Sequence, residues 1–146
     1  MPHINLIYPF LPRVQFDHIG TQLAKVCDRR DSFTLSLTEF HTFYHGRGRY
    51  TLWLKPEPVA DVTSLQAALM SVVPDCGDVA RHRDGFTPHL SVGQVRGAAA
   101  MADLKPRLQA QWQPISFQVE EVSLIWRNDA PDDIFRVARV VPLRRS

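Results

Sequence analysis

Two short stretches of this chain set a histidine two residues from a small polar side chain: His3 with Asn5, and His89 with Ser91. Side chains at i and i+2 of a strand share a face. Each stretch, if extended, therefore shows an imidazole beside a hydrogen-bonding group, while Ile4, Leu6, Leu90 and Val92 turn to the core. With an ordinary pKa of about 6.5, one imidazole can take a proton from an attacking oxygen while a second protonates the leaving oxygen near neutral pH. A serine hydroxyl and an asparagine amide can donate to the non-bridging oxygens of a phosphate without any metal. The chemistry such a pair suits is the opening or hydrolysis of a phosphodiester.

The elements that must carry these residues can be read from periodicity. Residues 3–8 read as a short strand stopped at Pro9, because proline cannot donate to a ladder. Phe16, Ile19, Leu23 and Val26 recur at helical spacing, ending near Asp28. Phe33, Leu35 and Leu37 alternate, as do Tyr50, Leu52 and Leu54 beyond the turn His45-Gly46-Arg47-Gly48-Arg49, which predicts a hairpin. A second helix carries Leu65, Leu69 and Val72, with Asp61 or Thr63 as N-cap, and closes at Pro74. After an irregular loop, His89 to Val95 is a compact apolar run that reads as a buried strand. A helix follows within 98–112, with Pro106 demanding a late start or a kink. Residues 115–126 and 134–141 then read as two strands, with a phase change at Glu120-Glu121 that suggests a bulge. The order is strand, helix, hairpin, a bridging helix, then strand, helix, hairpin, which predicts one α+β domain over 1–146 with pseudo-repeat halves at about 1–56 and 86–146. If the halves pack about an approximate two-fold, the four polar side chains converge on one cleft.

Composition narrows the setting. At 146 residues, 45% hydrophobic and 22% charged, the chain can bury its own core, and collagen-like, disordered and disulfide-scaffold classes fall away. A net charge of +2 is too small to steer nucleic acid by bulk field, so any basic surface is local. Cys27 and Cys76 are expected as thiols, since a domain of this size needs no staple. The N-terminus lacks the pattern of a signal peptide and no stretch is apolar enough to span a membrane, which points to the cytoplasm.

The chain resembles the 2H phosphoesterase superfamily, specifically its 2′-5′ RNA ligase-like and cyclic phosphodiesterase branch. The likeness rests on Pro2 to Phe10 and on Gly85 to Gln94, both close to the way members write their two His-x-Thr/Ser motifs. It extends through the Thr42 to Pro56 hairpin and the closing Ser123 to Leu143 stretch. The resemblance implies a bilobal, duplicated fold with antiparallel sheets around a central cleft. It also implies metal-independent, cofactor-free hydrolysis of 2′,3′-cyclic phosphate at RNA or nucleotide ends, with 2′-5′ RNA ligation as the reverse reaction. Carried over, His3 and His89 become the catalytic pair, Ser91 and Asn5 hold the phosphate, and Arg127 stands near where members place a polar or basic residue facing the cleft. Asn5 departs from the usual Thr or Ser, and members carry an additional strand before the first motif. An open edge at residues 3–8 invites pairing with a second copy, so monomer and dimer are both open. The alternative is a module of the same fold that binds RNA ends or nucleotides without turning them over.

Other residues carry weaker signals. Phe86, Phe10 and Tyr44 are candidates to stack a terminal base, Phe86 being the best placed. Trp53 reads as core or sheet surface. His41 and His45 lack the carboxylates that would finish a metal site, so none is expected. His18 and His82 default to solvated side chains, and the glycines of the 45–49 turn suit a tight hairpin better than a phosphate cradle.

Overall fold

A computed structural model describes residues 1–76 and 85–145. Three α-helices and six strands follow in the order α1 (Phe16–Cys27), β1 (Phe33–Tyr44), β2 (Arg49–Glu57), α2 (Val59–Met70), β3 (Leu90–Arg96), α3 (Ala98–Gln111), β4 (Ile115–Val119), β5 (Glu121–Trp126) and β6 (Arg136–Pro142). The strands form an antiparallel four-stranded sheet in the order β3-β2-β1-β4 and a separate β5-β6 ribbon. Among the described residues no helix is long and apolar enough to cross a membrane. His82 lies outside the described residues.

Helix α1 buries the stripe its spacing announces, with Phe16, Ile19 and Leu23 at 5% exposure or less. They pack with Leu65 and Leu69 of α2 and Val141 of β6. A second cluster gathers Leu37, Phe40, Leu52 and Leu54 of the β1-β2 hairpin under Met101 of α3. The hairpin turns where Gly46, Arg47 and Gly48 all take positive φ, of 79°, 51° and 68°. Two of those three positions are glycine, which lacks the Cβ that resists such angles. This turn sits at the far end of the hairpin and its geometry is accounted for by backbone bonds, His45 N to Arg49 O and Arg49 N to Gly46 O.

Helix α3 is held to β1 by polar contacts that the strand irregularity requires. The β1-β2 register shifts between Leu37 and Glu39, and Pro56 opposite Leu37 has no N–H to donate. Trp112 Nε1 donates to Leu37 O at 2.8 Å instead. Gln109 Nε2 donates to Thr38 O at 3.0 Å, and its Oε1 accepts from Phe40 N at 2.8 Å. Backbone groups displaced by the bulge are thus paired by two side chains of the covering helix and the residue after it.

Several expectations change. Residues 3–8 form no ladder; Ile4 makes one isolated antiparallel bridge to Leu90. The phase change at Glu120-Glu121 is a switch between sheets rather than a bulge, since β4 pairs with β1 and β5 pairs with β6. β3 is an edge strand and largely exposed, because only β2 flanks it in the sheet. Val92 is 45% exposed instead of core-facing. Leu52 pairs with Gly93 and Trp53 with Ser91, so Val92 is the bulged residue between them. Helix α2 starts earlier than its expected caps, behind Pro58, and Thr63 Oγ1 donates back within the helix to Val59 O and Ala60 O. Proline serves there because its fixed φ of −75° leads into the helix. Pro106 sits inside α3, which nevertheless starts at Ala98.

The missing ladder at residues 3–8 leaves a groove of about 600 Å³. One wall is residues 1–8 and the facing wall is all of β5, both as consecutive runs, with Leu23, Leu65 and Leu69 among the residues of its floor. Consecutive rather than alternate lining means that strand edges, not faces, border the space.

Two outcomes test this packing. Leu54→Ala removes a 2% exposed side chain from the hairpin core and is expected to cost about 2–5 kcal/mol, read as a lower urea midpoint with unchanged slope. Burial, with Asp28 adding a smaller repulsion, pushes the Cys27 thiol up to about 11. Iodoacetamide at pH 8 is therefore expected to leave Cys27 unmodified in folded protein and to label it in urea, as mass spectrometry would read.

Candidate functional site

The Ile4 to Leu90 bridge decides which side chains meet. Antiparallel pairing through these two residues brings the His3-Ile4-Asn5 and His89-Leu90-Ser91 stretches side by side. Leu90 packs against the hairpin core. His3 and Asn5 line the groove together with Arg127 and Phe135, whereas His89 and Ser91 lie beside Phe43 and Trp53 of the sheet.

Both imidazoles are anchored in the same manner. His3 Nδ1 lies 2.9 Å from Met1 O and His89 Nδ1 lies 2.8 Å from Thr87 O, each a carbonyl two residues upstream. A carbonyl only accepts, so each Nδ1 carries the proton and each Nε2 is turned over to other partners. The rings also rest on aromatic neighbours. His89 meets Phe43 edge-on at 4.9 Å and Trp53 at 5.8 Å. His3 meets Phe135 at 4.8 Å.

The wall behind His89 is built by cross-strand rows. His41, Trp53 and Ser91 are register partners across β1, β2 and β3. His41 stacks on Trp53 at 4.8 Å, and its Nε2 lies 3.1 Å from Glu39. His45, on the same alternation, lies with Nε2 2.8 Å from Thr51 Oγ1. Among the described residues no group of three or more His, Cys, Asp and Glu side chains is placed to hold a metal ion.

The wall beside His3 comes from the β5-β6 connection. Arg127 spreads its guanidinium over Phe135 at 4.8 Å and pairs with Asp133 at 2.6 Å. Next to it Arg136 holds Asp132 through two bonds of 2.9 Å, and Asn128 donates to the same carboxylate at 2.7 Å. These contacts, Arg136 first and Asn128 second, hold the Asp132 carboxyl below the usual carboxylate range.

The remaining candidates divide. Phe10 packs on Phe16 at 5.5 Å against the larger core, so its ring is spent on packing. Tyr44 pairs with Tyr50 at 5.0 Å, and strand alternation puts it on the side opposite Phe43, away from His89. Phe86 is half-buried just ahead of His89. Phe43, Trp53 and Phe135 were not singled out by motif or spacing as partners of the histidines. Alternation from His41 could have found Phe43; nothing local marks Phe135, whose contact joins the two ends of the chain.

This geometry can be set beside known proteins. The chain matches the model of the 2′-5′ RNA ligase superfamily over residues 1–131. It belongs to that superfamily. Among solved structures, Escherichia coli LigT complexed with 3′-AMP superposes with a TM-score of 0.68 at 20% identity, over 97% of this chain and 76% of that one. The Thermus thermophilus protein TT0787 follows at 0.67 and 19% identity, over 99% and 79%. At such identities these likenesses establish the α+β fold of the superfamily. No curated relative matches the chain by sequence.

Asp132 gives the connection a pH signature. A carboxylate lowered by folding contributes stability that is present above its unfolded pKa of about 3.9 and is lost as pH falls through the folded value. Asp132→Asn is expected to lower the thermal midpoint at pH 7, by an amount that shrinks as the pH is lowered below the ordinary carboxylate range, as measured by circular dichroism.

Proposed function

We propose that this superfamily member is a metal-independent phosphodiesterase acting on 2′,3′-cyclic phosphate at RNA or nucleotide ends, and that a 5′-hydroxyl in place of water makes the same opening a reversible 2′-5′ RNA ligation. The observation that carries the reading is the Ile4 to Leu90 bridge, which brings the two histidine motifs side by side while both Nδ1 atoms face carbonyls. Two imidazoles with Nε2 available suit a proton taken and a proton given across one phosphate. That LigT was solved with 3′-AMP supports a nucleotide end as ligand.

In the hydrolytic direction one Nε2 removes a proton from water as the water oxygen bonds to phosphorus. The bond to one ribose oxygen breaks, and the other imidazolium gives its Nε2 proton to that oxygen. Ser91 Oγ and the Asn5 amide donate to non-bridging oxygens, where charge builds in the transition state. Arg127 keeps one nitrogen on Asp133 and offers its remaining N–H groups to the same phosphate. Phe86 is the stacking candidate for a terminal base.

Hydrolysis of the four 2′,3′-cyclic mononucleotides and a cyclic-phosphate-ended oligonucleotide, assayed in EDTA, tests this. Turnover is expected in wild type and falls by about 10²–10⁴ in His3→Ala and in His89→Ala. Ser91→Ala is expected to lose about 10²–10³. Silent wild type that still binds the nucleotide would instead favour the binding module.

A further inference from the structure

We propose that Phe135 is the positioning residue that fixes the ring of His3, an assignment that rests on the phosphodiesterase reading for its kinetic consequence. The two histidines are held unequally. His89 precedes β3 directly, and two rings of the same sheet, Phe43 and Trp53, press on its imidazole. Beside His3 there is no ladder: its neighbour Ile4 makes one isolated bridge, and the carbonyl that accepts from its Nδ1 belongs to the exposed Met1. A ring with so little ladder beside it needs a tie from a distant part of the chain.

Phe135 is that distant tie. Its ring meets the His3 imidazole edge-on, with centroids 4.8 Å apart and planes 68° from parallel, the arrangement in which a ring edge meets a π face. Phe135 is itself immobilised on both sides. Arg127 covers its ring and is tied to Asp133, while Arg136, the next residue and the first of β6, is clamped by Asp132. The β5-β6 connection therefore serves as a rigid bracket whose tip sets where His3 points. A misplacement of about 1 Å at such a group costs roughly 10² in rate.

Phe135→Leu keeps an apolar side chain of similar reach and removes the ring. In protein labelled at histidine, the His3 ring signals are expected to lose their ring-current shift while those of His89 stay in place. The kcat is expected to fall about 10²-fold with KM little changed, since positioning acts on the chemical step. Phe135→Tyr is expected to restore both readouts. Phe135→Met, with an unbranched chain that fills the same space, serves as the second ring-free variant should the leucine fold poorly. Unmoved His3 signals in a folded ring-free variant would overturn the proposal, as would equal loss from Phe135→Tyr. The spectra are read without substrate, so a wild type without turnover would sink the phosphodiesterase reading and leave this contact to be decided by the ring shifts.

Discussion

One antiparallel bridge, Ile4 to Leu90, is the constraint on which the arrangement of the site depends. It joins two segments that lie far apart in the chain and does so at the residue between each histidine and its polar companion. Because a one-residue slip would reverse every side chain, this bridge sets how the two histidine motifs meet. The bridge has little ladder around it, so the surrounding cores must fix its two sides. Leu90 is held by the hairpin cluster under α3, and Leu6 and Ile7 by the larger cluster of α1, α2 and the β5-β6 ribbon.

Those two cores solve different problems. The hairpin core tolerates an irregular β1 because Gln109 and Trp112 supply the partners its bulge displaces. The larger core keeps an open side, the groove between residues 1–8 and β5. An apolar floor with unpaired strand edges on both walls leaves the β5-β6 ribbon dependent on helix packing, since two strands alone are marginal in water. Arginine contacts then stiffen the outer end of that ribbon, where Arg127 and Arg136 gather the 127–136 connection onto Phe135 and Trp126.

Much of this was legible residue by residue. Phe16, Ile19 and Leu23 announced the buried stripe of α1, and alternation at Phe33 to Leu37 and Tyr50 to Leu54 announced the hairpin, because local period reflects a local face. The two motif pairs were legible for the same reason. What the chain hid is neighbour identity. Nothing in His89 to Val95 says that one of its edges stays open, and a phase change at Glu120 looks alike whether a strand bulges or leaves for another sheet. The aromatic seats of the histidines stayed hidden because Phe135 and His3 come together only when both ends of the chain are folded.

The matched carbonyl anchors on His3 and His89 have a consequence for how such a site would reset. With both rings fixed as the same tautomer, either imidazole of the proposed cleft can serve as base or acid, and each turnover leaves the spare proton on the opposite ring. A second hydrolysis in the same sense must first ship that proton back through solvent, whereas the reverse reaction finds the protons already in place. Directional preference would then reside in substrate pose, buffer exchange and the different seating of the two rings, not in their tautomers.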